Sequence, residues 1–389
     1  MPVYSPLPLS AVLSGFRGLL SSSYAARARE EVEAWLKRGD PQREVLLLDS
    51  GTSALTLALK ATATDAKRPV AIPAFACYDI ATAVDGAGVP FVFYDIDPAT
   101  LGPDLESLRA ALVAGADRIV VVHLYGIPVD LDAVAGLAAK FGATLIEDAA
   151  QGVGGSWRGT PLGFSGSLGV FSFGRGKGVT GGGGGALVGN DASGREVVRS
   201  RRTSIAGTAT PLRDVVATVV QWALARRALY WIPASLPFLR LGETRYRSAA
   251  AIDGMSAYAA SVLRKTVTPA LEESIARRRN AKRIDGRVRS GRPVGPDASA
   301  PCEAAYLRLP LLREAEHDGK VSQGMRRVGV MPGYPSALPD LPGFGGRQIA
   351  TGSDPQGARV LAKRLVTLPV HGKLSERDID TIVDWTNRS

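Results

Sequence analysis

Seven short runs of apolar and β-branched residues, spread through residues 44–188 and separated by stretches of helical periodicity, constrain the fold of this chain more than any other feature. The runs are Glu44–Leu48, Pro69–Ile72, Phe91–Tyr94, Arg118–His123, Ala143–Glu147, Gly169–Phe173 and Gly185–Val188. Between them, Ser53–Thr62, Leu105–Val113 and Leu131–Phe141 place apolar residues three and four positions apart, which sets one face of a helix against a core. Continuous apolar runs belong to strands buried on both faces, and their alternation with helices is the signature of a mostly parallel sheet covered on both sides. The expected fold class is therefore α/β, with a mostly parallel seven-stranded sheet.

With 389 residues, 45% of them apolar, the chain can build a large domain and a smaller one. Beyond Met255 a long helical pattern, Ser256–Arg279, leads into weaker alternation at Ala305–Leu309 and Arg364–Leu368. A last helix, Ser375–Trp385, opens on Ser375-x-x-Asp378, a variant of the capping box. We expect a large domain over residues 1–255 and a smaller C-terminal α+β domain over 256–389.

Several function classes are disfavoured. Cys77 and Cys302 form neither a disulfide framework nor a C-x-x-C pair, and His123, His317 and His371 have no zinc-ligand spacing, so no metal is expected. The N-terminus lacks the charged region and apolar core of a secretory signal, and a reducing cytoplasm is the expected location. The net charge of +10 is concentrated in Arg195–Arg202 and Arg277–Arg283, both read as helices with a solvated face. No nucleic-acid motif accompanies the charge, and a small acidic substrate explains its sign. The most apolar stretch, Val215–Trp231, is interrupted by Arg226 and Arg227 well short of the roughly 20 residues needed to span a bilayer. Packing in the core or at a subunit interface is expected of it, with contact at a membrane surface as the second reading.

Three segments fall at strand ends, where open α/β sheets bind ligands. Ser50-Gly51-Thr52-Ser53 leads from a strand into a helix start, where N–H groups, the helix dipole and the hydroxyls of Thr52 and Ser53 suit a phosphate; an ordinary helix cap uses the same residues. Glu147-Asp148-Ala149-Ala150-Gln151 places a carboxylate at a strand end, suited to a protonated ring nitrogen or to a helix cap, with Gln151 able to reach a ring hydroxyl. In Phe171-Ser172-Phe173-Gly174-Arg175-Gly176-Lys177-Gly178, a buried strand runs into a glycine-rich loop with one lysine. The glycines allow close approach to a ligand, Arg175 favours an uncharged amine, and Ser172 can add a hydroxyl to a phosphate cup. This loop is not a Walker loop, because Phe171 and Gly178 stand where glycine and Ser/Thr are required. It also comes too late in the βαβ series for a dinucleotide turn.

The order Ser-Gly-Thr-Ser-Ala-Leu, Ile-Pro-Ala-Phe, His-Leu-Tyr-Gly, Glu-Asp-Ala-Ala-Gln and Phe-Ser-Phe-x-x-x-Lys resembles the DegT/DnrJ/EryC1/StrS family, most strongly over residues 40–190. The resemblance implies a sugar aminotransferase of the pyridoxal 5′-phosphate (PLP) fold type I. It makes Lys177 the Schiff-base lysine, Asp148 the partner of the ring nitrogen and Gln151 the contact to the ring hydroxyl. Gly51, Thr52, Ser53 and Ser172 would hold the phosphate. It further implies a ketosugar substrate, carried on a nucleotide, glutamate as amino donor, and a homodimer. Family members that dehydrate sugars carry His in place of the lysine, so Lys177 favours transamination. A PLP reaction on a non-sugar substrate is the alternative.

The chain departs from the family at three places. Cys77 stands where an aromatic ring stacks on the cofactor, with Tyr78 beside it as the alternative stacking residue. Thr244-Arg245-Tyr246-Arg247 lacks the asparagine that contacts the phosphate across the subunit interface, and Gly181–Gly185 replaces a mixed stretch near the expected pocket.

Overall fold

The computed structural model describes residues 1–63, 65–205, 207–224, 246–297, 299–316, 321–349 and 354–388. Outside them lie His317, Arg226, Arg227, Thr244, Arg245 and the part of the Val215–Trp231 stretch beyond residue 224.

All seven sequence-read strands enter one sheet, each within a residue of its expected bounds: β1 Glu44–Leu48, β2 Val70–Pro73, β3 Phe91–Tyr94, β4 Arg118–Val122, β5 Thr144–Asp148, β8 Leu168–Ser172 and β9 Gly185–Gly189. The short β6, Ser156–Trp157, and β7, Thr160–Pro161, intervene in sequence. Spatial order is β1-β9-β8-β5-β4-β2-β3, and β9 alone runs against the others. Every residue of β2, β3, β4 and β9 is buried, as strands covered on both faces must be. The free edge at β3 is covered from far along the chain: Phe91 N–H donates to Arg347 O at 3.2 Å, Ile349 N–H to Phe91 O at 2.8 Å, and Phe344 stacks on Phe91.

Helices α1 (Leu9–Leu20), α2 (Ser22–Lys37), α3 (Gly51–Thr62), α4 (Asp79–Ala87), α5 (Leu105–Val113), α6 (Leu131–Phe141), α7 (Ala192–Arg201) and α8 (Leu212–Leu224) belong to this part. Asp104 and Asp130 cap α5 and α6 through side-chain oxygens that accept first-turn N–H bonds. The long helix α9, Ala257–Asp285, begins in the core of the large sheet, with Ala259, Ala260 and Leu263, and ends in a second core with Ala281 and Ile284.

That second core sits on a four-stranded antiparallel sheet of β10 (Arg292–Pro293), β12 (Leu309–Leu312), β14 (Leu365–Leu368) and β13 (Met331–Pro332), in that order. The helix Glu376–Arg388 closes it, and its start is a reciprocal capping box: Asp378 N–H donates to Ser375 Oγ at 3.2 Å and Ser375 N–H to Asp378 Oδ2 at 2.8 Å. The strand expected at Ala305–Leu309 is displaced toward the C-terminus, because Tyr306 takes φ +44° and ends extended pairing there; β12 starts only at Leu309. Strand β11, Cys302–Glu303, pairs with β6 instead.

The N-terminal segment ties the two cores together. Arg277 of α9 donates to Tyr4 O at 2.7 Å, and buried His371 contacts Met1 O through Nε2 at 3.0 Å while Asn280 donates to the carbonyls of Val370 and His371. Burial lowers His371 from its ordinary 6.5 to about 4. Neutral His371 therefore stabilises the fold above pH 6.5, a contribution of about 3 kcal/mol that is lost as pH falls toward 4. Urea unfolding across that window should show a steeper loss of stability for the wild-type chain than for His371→Gln; parallel pH profiles would remove His371 as the cause.

Candidate active site

The sheet topology brings the carboxyl ends of β1, β5 and β8 together. In the parallel register of β5 and β8, Asp148 lies opposite Val170, so Asp148 and Ser172 leave adjacent strands at the same edge. Ser172 also pairs with Gly185 of β9, which lies between β8 and β1. The first turn of α3, entered directly from β1, presses against the end of β8. A Cβ on Gly51 would lie 2.6 Å from Ser172 Cβ, so only glycine allows this approach. Ser50 caps α3, its Oγ accepting from Ser53 N–H at 3.1 Å.

An open cavity occupies this meeting point. Its lining includes Gly51, Thr52, Cys77, Asp148, Gln151, Ser172 and Lys177, seven of the nine residues singled out in the sequence. Ser53 and Tyr78 are turned elsewhere: the Ser53 hydroxyl meets Ser50 Oγ at 2.9 Å, and the Tyr78 hydroxyl meets Ser336 Oγ at 2.6 Å. Leu55, Asp79, Ile80, Val122 and Ala150 also line the cavity. The apolar ones had no signal in the sequence, since a residue facing a cavity has the same pattern as one facing a core.

Asp148 is buried, and its Oδ1 accepts from Ala150 N–H at 2.9 Å. Burial raises its carboxyl above the ordinary range, against the pull of that N–H and of the Lys177 charge. A buried carboxylate of this kind is stabilised further by a cation brought into the cavity, which is what a protonated pyridine nitrogen provides. Gln151 is held from two sides, with Oε1 accepting from Tyr125 N–H at 3.0 Å and Nε2 donating to the Tyr334 hydroxyl at 3.0 Å. Its second amide hydrogen remains for a ligand. Tyr334 comes from the C-terminal part and stacks on Tyr125, with ring centroids 5.5 Å apart.

Lys177 sits half-buried in the turn after β8, its carbonyl accepting from the Ser5 hydroxyl, while Arg175 is exposed. Cys77 donates toward Asp79 Oδ2 at 3.4 Å, and burial pushes its thiol up to about 12. It therefore stays a neutral thiol near pH 7 and does not compete with Lys177 as a nucleophile. The glycines 181–184 do not line the cavity: Cβ atoms on Gly182 and Gly183 would collide with Thr218 and Asp214 of α8, so this run packs a helix closely.

Behind the site, His123 and Glu147 are fully buried and 2.9 Å apart. His123 Nδ1 accepts from Val129 N–H at 3.3 Å, which leaves Nε2 to donate to Glu147. Glu147 also accepts from the N–H groups of Gly163, Ser165 and Gly166 at 2.6, 2.9 and 3.1 Å. Burial would raise this carboxyl, but His123 and the backbone donors hold it below its ordinary value. His123 is thus a structural hydrogen-bonding group here. No group of three or more His, Cys, Asp or Glu suited to a metal occurs among the described residues.

The donor set fits PLP: a lysine, a buried carboxylate, an oriented amide, the Thr52 hydroxyl at a helix start and the Ser172 hydroxyl at a strand end, all lining one cavity. Comparisons with known proteins agree. Over 143 residues, 37% of this chain and 34% of the relative, it is 40% identical to L-glutamine:2-deoxy-scyllo-inosose aminotransferase of Streptomyces lividus. Over 186 residues, 47% of this chain and 44% of the relative, it is 36% identical to L-glutamine:scyllo-inosose aminotransferase of Streptomyces griseus. The aligned part thus spans less than half the length of these two curated relatives. The fold matches the crystal structure of the sugar aminotransferase CalS13 from Micromonospora echinospora with a TM-score of 0.72 at 21% identity, covering 100% of this chain and 98% of that one. The model of the DegT/DnrJ/EryC1/StrS aminotransferase family matches residues 27–227, more than half of the chain and all of the strand ends that build the cavity, and the chain belongs to that family.

Proposed function

We propose that the protein is a PLP-dependent aminotransferase that converts the ketone of a ketosugar to an amine, with Lys177 as the residue joined to the cofactor. The observation that carries this reading is the convergence of Lys177, Asp148, Gln151, Thr52 and Ser172 on one cavity. The family's enzymes use PLP, and the curated relatives named above take their amino group from glutamine, by their names, and give it to a cyclic polyhydroxy ketone. Glutamine therefore joins glutamate as a candidate donor. A sugar carried on a nucleotide suits the positive charge of the chain. Two free thiols suit a reducing cytoplasm, and a homodimer is the assembly that the family implies.

Bound PLP supplies an electron sink that allows an amino acid's α-C–H bond to break. With PLP held in this cavity, Lys177, which lines it, would be the base that carries the proton removed from the donor's Cα. The Asp148 carboxylate would hold the proton on the ring nitrogen, a pairing that its burial would strengthen. Gln151, fixed by Tyr125 and Tyr334, would offer its remaining amide hydrogen to the ring hydroxyl. Thr52 and Ser172 offer hydroxyls to the phosphate beside the positive end of α3.

Mixing the PLP-loaded protein with glutamine or glutamate should yield the pyridoxamine form of the cofactor. Lys177→Ala should lower that rate by about 10³-fold or more, and Asp148→Asn by about 10²-fold. Wild-type protein that converts no cofactor with either donor would sink the proposal. The Cys77 environment gives a separate pH test: in a Cys302→Ser background, alkylation of Cys77 by iodoacetamide should keep rising about tenfold per pH unit beyond pH 10, because the thiolate is scarce below about 12. A plateau near pH 9 would show an unperturbed thiol.

A further inference from the structure

Nine of the twelve large apolar side chains that are exposed among the described residues lie on two helices in contact, α1 and α8, so this exposure is concentrated rather than scattered. On α1, Leu9, Leu13, Phe16 and Leu20 recur at helical spacing on the outer face, with Leu13 52% and Leu20 88% exposed. The inner face carries Ala11, Val12, Ser14, Gly15 and Gly18, Val12 being its one larger apolar residue. That arrangement is the reverse of an ordinary surface helix, which turns its large apolar residues inward. Close packing enforces it: a Cβ on Gly15 would lie 2.5 Å from the Tyr258 ring and one on Gly18 2.1 Å from Ser261 Oγ, so the large residues cannot turn toward α9. On α8, Leu212, Val216, Val219 and Val220 repeat the pattern, with Leu212 71% and Val216 53% exposed.

The charges on this surface have one sign. Arg17 of α1 and Arg213 of α8 are exposed. Helix α1 has no acidic residue, and Asp214 of α8 is buried, accepting from Ser256 Oγ at 2.6 Å. Arg175, two residues before Lys177, lines a groove with Leu212, Arg213, Val216 and Val220.

We propose that the α1–α8 surface docks on an anionic lipid bilayer. The apolar ridges enter the boundary between headgroups and acyl chains, while Arg17, Arg175 and Arg213 meet anionic headgroups. Charge decides against a second copy of the chain as the occupant. A two-fold contact sets a patch against itself, which would bring these arginines onto an apolar surface with no exposed carboxylate on either helix to pair them. No helix among the described residues is long and apolar enough to cross a membrane, so the contact is one of docking at the surface. The groove at Arg175 places the turn carrying Lys177 beside the docked face.

Flotation of the full chain, loaded with PLP, on vesicles of phosphatidylcholine with and without phosphatidylglycerol tests this. The protein should float with the anionic vesicles and be released by salt. The double variant Leu13→Glu, Val216→Glu should lower the bound fraction at least about tenfold while keeping its PLP absorbance and unfolding temperature. Arg17→Glu, Arg213→Glu should lose the preference for anionic vesicles. No flotation of the wild-type chain, or equal flotation of the Leu13→Glu, Val216→Glu variant, would overturn the proposal. So would a change from dimer to monomer in that variant by light scattering with vesicle binding unaltered, which would make a second copy the occupant.

Discussion

The site depends on one buried carboxylate, Glu147, that does not line the cavity. Glu147 collects hydrogen bonds from His123 and from the backbone of Gly163, Ser165 and Gly166, four donors around a group with no access to water. A buried charge is tolerable only when its lone pairs are filled in this way. Three of the four donors lie in the loop that delivers the chain to β8, so a carboxylate one residue before the end of β5 anchors the approach to β8. The register that follows puts Asp148 opposite Val170. Loss of this anchor would shift Ser172 and Lys177 relative to Asp148.

The rest of the site follows from the sheet. Parallel strands deliver their ends to one edge, and β1 reaches that edge through its pairing with the reversed β9. The helix start at Gly51–Ser53, the carboxylate at Asp148 and the lysine turn after Ser172 are therefore neighbours although they are far apart in sequence. The C-terminal part adds what the sheet cannot: Tyr334 fixes one side of the Gln151 amide. The N-terminal segment completes the enclosure, with Ser5 on the Lys177 carbonyl and Tyr4 on Arg277.

What could be read from the sequence divides along physical lines. The strands of the large sheet were legible because burial on both faces leaves continuous apolar runs with nothing to confuse them. Thr52, Asp148, Gln151, Ser172 and Lys177 were legible because polar residues at strand ends stand out against those runs. Tyr334 was not, since it reaches Gln151 through a tertiary contact that leaves no local trace; the two are 183 positions apart. The strand expected at Ala305–Leu309 failed on backbone conformation at Tyr306, which no apolar alternation reveals. Tyr78 stands beside Cys77 in sequence, and its hydroxyl bonds to Ser336. The five glycines at 181–185 suggested an altered pocket, whereas the structure uses them to bring α8 and α9 close.

The central claim is that Lys177, among all the lysines of the chain, is the one that bonds to PLP. Borohydride reduction of the PLP-loaded protein, followed by digestion and peptide mass mapping, tests it most directly. The account predicts one pyridoxyl group per chain, carried by the peptide that contains Lys177 and absent from it when Asp148 and Gln151 are intact but Lys177 is replaced by alanine. A pyridoxyl group on another lysine of the wild-type protein, with Lys177 unmodified, would contradict it.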